Sequence, residues 1–198
     1  MKDFWDERYR DTAYAYGTSP NLFLKEQMAK FVPGKILFPC EGEGRNAVYA
    51  AQQGWQVDAF DTSTEGRRKA LLLGKEKKVA IRYQIADAIS VTYPDNYFDA
   101  VALIYAHFPP DVRKVIHRKI INWIRPGGII LLEAFTPLQL GNTSGGPKDP
   151  AQLYTEEILK EDFSVLRKFE ILQSEEINLS EGKFHRGKAN VIRMVAMR

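Results

Sequence analysis

The sequence predicts an α/β fold in which one mostly parallel sheet of seven strands carries helices on both faces and ends in an antiparallel strand. Short apolar runs bounded by Gly, Pro or Asp alternate with segments of helical periodicity between residues 35 and 134, which is typical of a parallel sheet. The last quarter contains two segments that alternate apolar and polar residues around a Gly-containing turn, which predicts a hairpin. The 198 residues suffice for one core, so we expect a single domain spanning residues 1–198.

The first half of the chain supplies three strands and two helices. KILFP is a short buried run, and the helical segment that follows it closes at Gly54. The second helical segment has a Ser or Thr near its start that can cap it. We therefore expect strands at Lys35–Pro39, Gln56–Phe60 and Ile81–Ile85, and helices at Arg45–Gln53 and Ser63–Lys77.

The second half begins with the strongly apolar run YFDAVALIY and a helix whose apolar residues recur at near-helical spacing. Arg125-Pro126-Gly127-Gly128 breaks that helix before the next apolar run. The expected elements are strands at Tyr97–Tyr105 and Ile129–Ala134, helices at Asp111–Ile124 and Thr155–Asp162, and a hairpin of Glu170–Leu179 and Asn190–Met197. The final strand should run antiparallel to its neighbour.

Composition excludes several function classes. The formal charge of +3 is small and the charged residues are interspersed, which gives no case for nucleic acid. No apolar stretch is long enough to span a bilayer, and the charged start MKDFWDERYRD predicts no signal peptide. Cys40 is the single cysteine, which suits a cytoplasmic protein. Because His107, His117 and His185 share no ligand spacing, we expect no metal.

The carboxyl ends of the predicted strands form the expected ligand edge. Gly42 and Gly44 let the backbone approach a ligand closely, and the helix from Arg45 points free N–H groups at it. Asp61 can accept two hydrogen bonds from a ribose diol, and Asp87 can accept one from an adenine amino group. The Gly spacing also fits the dinucleotide fingerprint, so both a dinucleotide and an adenosyl cofactor remain open here.

A series of motifs decides between them: GEGRNAVYAA, VDAFDTS, ADA, FDAVALIYAHF and WIRPGGIILLEAF, in this order. The series resembles class I S-adenosylmethionine-dependent methyltransferases, from about Asn21 to the end, and the reversed last strand is that family's sheet signature. YGTSPNLFL, GRNAVYAA and TSGGPKDP are similar to small bacterial methyltransferases of the tellurite-resistance and thiopurine-methyltransferase-like group. The resemblance implies a Rossmann-like fold and S-adenosylmethionine as cofactor.

The resemblance also implies the cofactor contacts. The expected cofactor-binding residues are Tyr16, Cys40, Glu41, Gly42, Gly44, Asn46, Asp61, Thr62, Ser63, Asp87, Ala88 and Tyr105. Phe38 stands where the family places an acidic residue, and we expect Glu41 to substitute for it. Cys40 replaces the family's first Gly, which is tolerable if its φ is negative, and we expect it to be a small buried hydrophobe rather than a catalytic thiol.

Methyl transfer is an in-line displacement that needs a base only for a poor acceptor. No catalytic residue is certain, and His107 and His185 are the candidates. The substrate side is expected to comprise Tyr14, His107, Phe108, His185 and Arg186. Because Arg186 and Lys188 accompany His185 in the predicted hairpin turn, that cluster could attract an anionic acceptor.

The aromatic N-terminal segment 1–20 is expected to form a lid, or alternatively a packing cluster, and the loops 136–154 and 180–189 to lie on the substrate side. The resemblance implies a methyltransferase for a small acceptor such as a thiol or a metalloid oxyanion in detoxification. The alternatives are an NAD(P)-binding oxidoreductase and a non-catalytic S-adenosylmethionine-binding module. We expect no nucleic-acid or membrane partner, and the sequence leaves the oligomeric state open.

Overall fold

The computed structural model describes residues 2–198, and in it a helix follows the first, second and fourth strands, whereas the third strand leads to the fourth through a loop. The strands are β1 (Lys35–Pro39), β2 (Gln56–Asp61), β3 (Arg82–Ile85), β4 (Phe98–Ile104), β5 (Ile124–Phe135), β6 (Lys168–Glu181) and β7 (His185–Met197). The helices are α1 (Lys2–Tyr9), α2 (Leu22–Met28), α3 (Arg45–Gln52), α4 (Thr64–Glu76), α5 (Pro110–Trp123) and α6 (Glu156–Asp162).

Within residues 2–198, seven strands form one sheet in the order β3–β2–β1–β4–β5–β7–β6. The pairs among β1 to β5 are parallel, and β7 is antiparallel to both β5 and β6. The predicted sheet and its reversed last strand are therefore confirmed. Because the chain order reverses between β1 and β4, their carboxyl ends border the crevice where ligands bind in such sheets.

Two apolar layers hold the helices against the sheet. On one face, α2 and α3 cover β1, β2, β4 and β5, where Ile36, Phe38 and Leu131 are fully buried. On the other face, α5 and α6 pack on the same strands through residues such as Ile120 and Leu159. Phe38 thus belongs to the core, so this position offers no carboxylate to the ligand edge.

Two predicted strand boundaries are wrong, and one helix was not predicted. Strand β5 begins at Ile124 rather than Ile129, because Arg125–Gly128 continues the strand through a register shift opposite β4 instead of forming a separate break. Strand β7 begins at His185, so the hairpin turn is only residues 182–184 and most of the expected 180–189 loop is strand. Helix α2 was not predicted; Asn21 caps it, and Leu24 is fully buried.

Residues 3–21 cross the carboxyl edge of the sheet. Helix α1 packs on α4, and the following residues reach the tip of the β6–β7 hairpin, where the carbonyl of Ala15 accepts a hydrogen bond from the Lys183 N–H at 3.0 Å. Among residues 2–198, none of the helices is both long enough and apolar enough to traverse a bilayer.

Candidate cofactor and acceptor site

Two N–H groups at the start of α3 are bound by a side chain of the turn that precedes the helix, so they are not free to bind a ligand. The carboxylate of Glu41 turns back onto the start of α3, where its Oε1 accepts the N–H groups of Asn46 at 2.9 Å and Ala47 at 2.7 Å. The N–H groups that we expected to face a ligand are therefore occupied by a side chain. A carboxylate at a helix N-terminus also fills the place where a dinucleotide fold holds its pyrophosphate.

The two glycines of this turn do different work. Gly42 has a φ of 61° and its Cα faces the phenol of Tyr9, so a side chain there would overlap Tyr9. Gly44 has a φ of 85°, and a side chain at this position would collide with Ala70 of α4. Gly42 therefore permits a close approach from above the turn, whereas Gly44 permits α3 to pack on α4.

Cys40 adopts the left-handed conformation. Its φ is 55°, so the condition under which a side chain is easily tolerated here, a negative φ, is not met, and a non-Gly residue stores backbone strain. Tyr105, at the end of β4, has the same φ of 55°. Burial raises the pKa of the Cys40 thiol well above its usual value, which keeps it protonated. The two strained residues end the two strands that border the crevice.

Asp61 is buried at the end of β2 and fixes the turn. Its Oδ2 accepts the Gly42 N–H at 3.0 Å and its Oδ1 accepts the Ser63 N–H at 2.9 Å. Burial raises the pKa of Asp61, while these backbone hydrogen bonds oppose the rise. Because a carboxylate has about four acceptor sites, two remain for a ligand hydroxyl pair.

The neighbouring predicted residues have local partners. The Ser63 hydroxyl caps α4 by accepting the Gly66 N–H at 2.9 Å and donates to Asp6 of α1 at 2.7 Å. Asp87 accepts the Ile89 N–H at 2.8 Å, and its side chain remains partly exposed next to buried Ala88. Thr62 is partly exposed at the same edge. Asp61, Thr62, Asp87 and Ala88 thus follow two neighbouring strands, as the sequence predicts.

Glu41 gives the fold a pH dependence. Burial raises the pKa of Glu41 from 4.5 to about 7, so the folded protein binds a proton that the unfolded chain has lost. Glu41 therefore contributes its full amount to the free energy of unfolding below pH 4.5. This contribution is lost as the pH rises from 4.5 through about 7. Relative to Glu41→Gln, the wild type should lose about 2 to 3 kcal/mol between pH 4.5 and pH 7.

Urea unfolding across this pH range checks the prediction. The variant Glu26→Gln, at an exposed position on α2, is the matched control and should track the wild type. A constant difference in unfolding free energy between wild type and Glu41→Gln from pH 4.5 to pH 7 contradicts the assignment.

A buried ion pair holds the N-terminal segment on the turn. Lys69 of α4 is 2% exposed, and its Nζ lies 2.5 Å from Oε1 of Glu43. The same ammonium donates to the backbone carbonyls of Asp11 at 2.8 Å and Ala13 at 2.7 Å. Glu43 in turn accepts the Ala15 N–H at 2.8 Å. Sequence reasoning missed Lys69, because a lysine within a helix usually lies on the surface.

Aromatic rings meet above the ends of β4 and β5. The ring of His185 lies 4.5 Å from that of Tyr105 and 4.4 Å from that of Tyr16, measured between centroids. Tyr105 also stacks on Phe135 at 4.7 Å. The expected floor residue Tyr105 and the expected residues Tyr16 and His185 therefore come together, with buried Phe108 following the same strand.

A buried carboxylate that the sequence analysis did not single out supports this cluster. Glu133 of β5 is fully buried and accepts from the Tyr105 hydroxyl at 2.7 Å, the Asn21 amide at 2.6 Å and the Arg193 guanidinium at 2.6 Å. The signal was available, since Glu133 interrupts the apolar run IILLEAF. The hydrogen bond from the Tyr105 hydroxyl to Glu133 fixes the position of the Tyr105 ring.

The two candidate histidines differ in what their nitrogens bind. His107 Nδ1 lies 2.7 Å from the Gln152 carbonyl, and its Nε2 accepts the Phe135 N–H at 3.1 Å. These partners assign the proton to Nδ1, and burial lowers the pKa of His107 to about 4. Both nitrogens are engaged, so His107 has no free lone pair with which to act as a base.

His185 is free on one side. Its Nδ1 lies 3.5 Å from Glu181 Oε2, and its Nε2 makes no hydrogen bond within residues 2–198. Burial lowers the pKa of His185, although Glu181 opposes the shift, so the imidazole is neutral at pH 7. Burial opposes ionisation of Glu181 too, but its bonds to His185 and Arg45 lower the pKa of Glu181 to about 2. A carboxylate therefore orients a neutral imidazole.

Three residues that were expected on the acceptor side lie away from His185, namely Arg186, Lys188 and Tyr14. Arg186 is exposed on β7, and Lys188 pairs with Glu176, because alternate residues of a strand point to the face opposite His185. The predicted positive cluster around His185 does not form. Tyr14 donates its hydroxyl to the Lys69 carbonyl at 3.1 Å, which places it over α4 and away from His185.

Asn46 accepts the Asn21 N–H at 2.9 Å and supports the turn.

Comparison with known families identifies the central part of the chain. Residues 36–128, just under half of the chain, match the model of a methyltransferase domain. A curated relative, a phosphoethanolamine N-methyltransferase from Triticum aestivum, is 29% identical over 59 residues, which is 30% of this chain. The match covers only 12% of the length of that relative.

Two solved structures cover the whole chain at 17% identity. One, described as the conversion of a disulfide bond into a thioacetal group during echinomycin biosynthesis, has a TM-score of 0.78 and is itself covered to 92%. The other, TehB from Haemophilus influenzae, has a TM-score of 0.72 and is covered to 66%. These likenesses confirm the predicted methyltransferase fold. A third structure, described as a SAM-dependent methyltransferase from Methanosarcina mazei, covers 87% of this chain and is itself covered to 96%, with 16% identity and a TM-score of 0.69. With the domain match, it implies S-adenosylmethionine as the cofactor.

Proposed function

We propose that this protein is an S-adenosylmethionine-dependent methyltransferase that acts on a small acceptor at the carboxyl ends of β1, β2 and β4. In this proposal Asp61 binds the ribose diol, Asp87 and Ala88 border the adenine, and Gly42 allows the backbone to approach the methionine portion. The bound cofactor would supply a methyl group on a cationic sulfonium. Asp61 places a carboxylate at this turn, which suits such a cation.

The observation that carries the cofactor choice is the position of the Glu41 carboxylate. It occupies the first N–H groups of α3, at 2.9 Å and 2.7 Å, where the pyrophosphate of NAD(P) would bind. A pyrophosphate would find these N–H groups already hydrogen-bonded, which argues against the dinucleotide alternative. A sulfonium cofactor has no phosphate to place at this helix end. In the proposal, the expected substitution of Glu41 for the acid missing at Phe38 falls to its Oε2, because its Oε1 is occupied by the N–H groups of α3.

For the chemical step, we assign the role of general base to His185. Its neutral imidazole is held by Glu181 and lies 4.5 Å from the ring of Tyr105. Nε2 would take the proton from the acceptor O–H or N–H as the oxygen or nitrogen attacks the methyl carbon. The aromatic faces of Tyr16 and Tyr105 would stabilise the cationic methyl donor. A thiolate acceptor would not need this base.

Residues 3–21 would act as a cover over the cofactor cleft. Tyr9 lies on Gly42 and is 5% exposed, and Asp6 joins α1 to the start of α4. The segment therefore shields Gly42 and Asp61, and cofactor exchange would require it to open. The loop 136–154 would close the acceptor side, since Gly145 packs against the ring of His185.

Lys69→Met should release this cover. Removing one partner of a buried ion pair destabilises its contacts by about 3 to 5 kcal/mol, and the carbonyls of Asp11 and Ala13 lose their donor as well. Hydrogen exchange of residues 9–17 should accelerate at least tenfold in the variant. In Lys69→Met the Glu43 carboxylate is left buried without a counter-ion. If this variant is too unstable, the double variant Lys69→Met/Glu43→Gln removes that charge and tests the same contacts.

The control for the cover is Lys77→Met, at the exposed end of α4, where the side chain pairs only with Glu76. It should leave exchange in residues 9–17 unchanged. Equal protection of this segment in wild type and in both Lys69 variants would show that the buried ion pair does not hold it.

An acceptor panel tests the proposed activity. Purified protein is incubated with S-adenosylmethionine and a phenol, an amine, a thiol or a metalloid oxyanion, and the release of S-adenosylhomocysteine is measured. Turnover of a phenol or an amine that rises with pH supports the His185 assignment. Binding of S-adenosylhomocysteine without turnover of any acceptor favours the non-catalytic binding module.

A further inference from the structure

Arg8 of α1 differs from the other partly buried cations at this edge of the sheet. Lys69 pairs with Glu43, Arg45 with Glu181, and Arg193 with Glu133, each at 2.8 Å or less. Arg8 has no carboxylate partner among the side chains that the structure describes. A guanidinium that is partly withdrawn from water without a counter-ion has lost hydration that an anion would replace.

The position of Arg8 is nevertheless fixed. Its guanidinium carbon lies 4.0 Å from the ring centroid of Phe184 and 5.1 Å from that of Phe4. One of its terminal nitrogens donates to the Tyr16 hydroxyl at 3.5 Å. Stacking on aromatic rings leaves the N–H edge of a guanidinium available, and that edge matches an oxyanion such as a carboxylate or a phosphate.

Arg8 lies near His185, on the acceptor side, rather than over the turn between β1 and α3. The ring of Tyr16, whose hydroxyl Arg8 contacts, lies 4.4 Å from His185, and Phe184 directly precedes His185. The residue of α1 that lies on Gly42 is Tyr9, not Arg8. Arg8 is therefore one aromatic ring away from the base assigned above.

We propose that Arg8 is the specificity-determining residue for an anionic acceptor, and that it binds an oxyanion group of the small molecule whose O–H or N–H faces His185. This inference rests on the proposed function and specifies its substrate class. It also replaces the Arg186–Lys188 cluster that the sequence suggested, because those side chains point away from His185 while Arg8 approaches it from α1. A guanidinium at this place favours acceptors that carry a carboxylate, phosphonate or sulfonate over their uncharged analogues.

Calorimetry with matched probes tests the proposal. Benzoate and phenylphosphonate, with benzyl alcohol as the uncharged analogue, are titrated into the protein with and without saturating S-adenosylhomocysteine. We expect both anions to bind and benzyl alcohol to bind more weakly. Arg8→Gln should weaken anion binding roughly 10- to 100-fold, as expected for a lost charge-assisted contact, and Arg8→Lys should restore part of it.

Arg10→Gln is the matched control, because Arg10 follows α1, is exposed and already pairs with Glu7 at 2.5 Å. It should bind the anions as the wild type does. Absence of anion binding in the wild type, or equal binding in wild type and Arg8→Gln, overturns the proposal. Arg8→Gln that weakens S-adenosylhomocysteine itself also overturns it, since Arg8 would then bind the carboxylate of the cofactor.

These outcomes separate the inference from the proposed function. If the wild type binds neither S-adenosylhomocysteine nor S-adenosylmethionine, the methyltransferase assignment fails, whereas the anion titrations without cofactor still report on Arg8. If cofactor binding is normal and the Arg8-dependent preference for anions is absent, only the substrate class is wrong.

Discussion

His185→Gln is expected to lower kcat for a phenol or amine acceptor by about 10²- to 10⁴-fold, the usual contribution of a positioned general base. Glutamine keeps a polar side chain of similar length but cannot take a proton at pH 7. The cofactor affinity should change little, because His185 lies on the acceptor side of Tyr105. The measurement is kcat and KM from the release of S-adenosylhomocysteine across pH 5 to pH 9.

The pH profile distinguishes catalysis from packing. Wild-type activity should fall as the pH drops through the pKa of His185, which burial holds below its usual value, and this limb should vanish in His185→Gln. Lys188→Gln, on the same strand but on its opposite, exposed face, is the matched control. A kcat within threefold of the wild type in His185→Gln would remove it from the chemistry.

Asp61→Asn should weaken binding of S-adenosylhomocysteine about 10- to 100-fold. The substitution keeps the side-chain volume but removes the charge that would strengthen the hydrogen bonds from a ribose diol, typically worth about 1.5 to 3 kcal/mol. Alanine is the harsher change, because the N–H groups of Gly42 and Ser63 would both lose their acceptor, whereas the asparagine oxygen can still accept one of them. Calorimetric titration with S-adenosylhomocysteine measures the loss.

Asp58→Asn is the control for this experiment. Asp58 lies on the same strand, β2, but its carboxylate forms a surface ion pair with Arg82 at 2.7 Å. The Asp58→Asn variant should bind S-adenosylhomocysteine with the same affinity as the wild type. If Asp61→Asn binds as tightly as Asp58→Asn, the end of β2 is not the ribose site.

The sheet could be predicted from the sequence because its signals are local. Each strand is a short apolar run, and the carboxyl end of each parallel strand falls at the same edge, which brings Asp61 and Asp87 to one side of the sheet. The reversed last strand followed from the alternation in Asn190–Met197, although the strand itself begins five residues earlier, at His185.

The side-chain network could not be predicted, because it depends on contacts between residues far apart in the chain. Lys69 looks like a surface lysine until the carbonyls of residues 9–13 fold over it. Glu41 was expected to face the ligand, but the nearest unsatisfied donors are the first N–H groups of α3. The strand period turns Arg186 away from His185, and an N-terminal arginine takes its place.

The central claim is that the crevice between β1 and β4 holds S-adenosylmethionine rather than a dinucleotide. Calorimetric titration of the wild-type protein with S-adenosylhomocysteine and, separately, with NADPH tests this claim most directly. We predict saturable one-site binding of S-adenosylhomocysteine and no measurable heat with NADPH. Binding of NADPH without binding of S-adenosylhomocysteine would contradict the account.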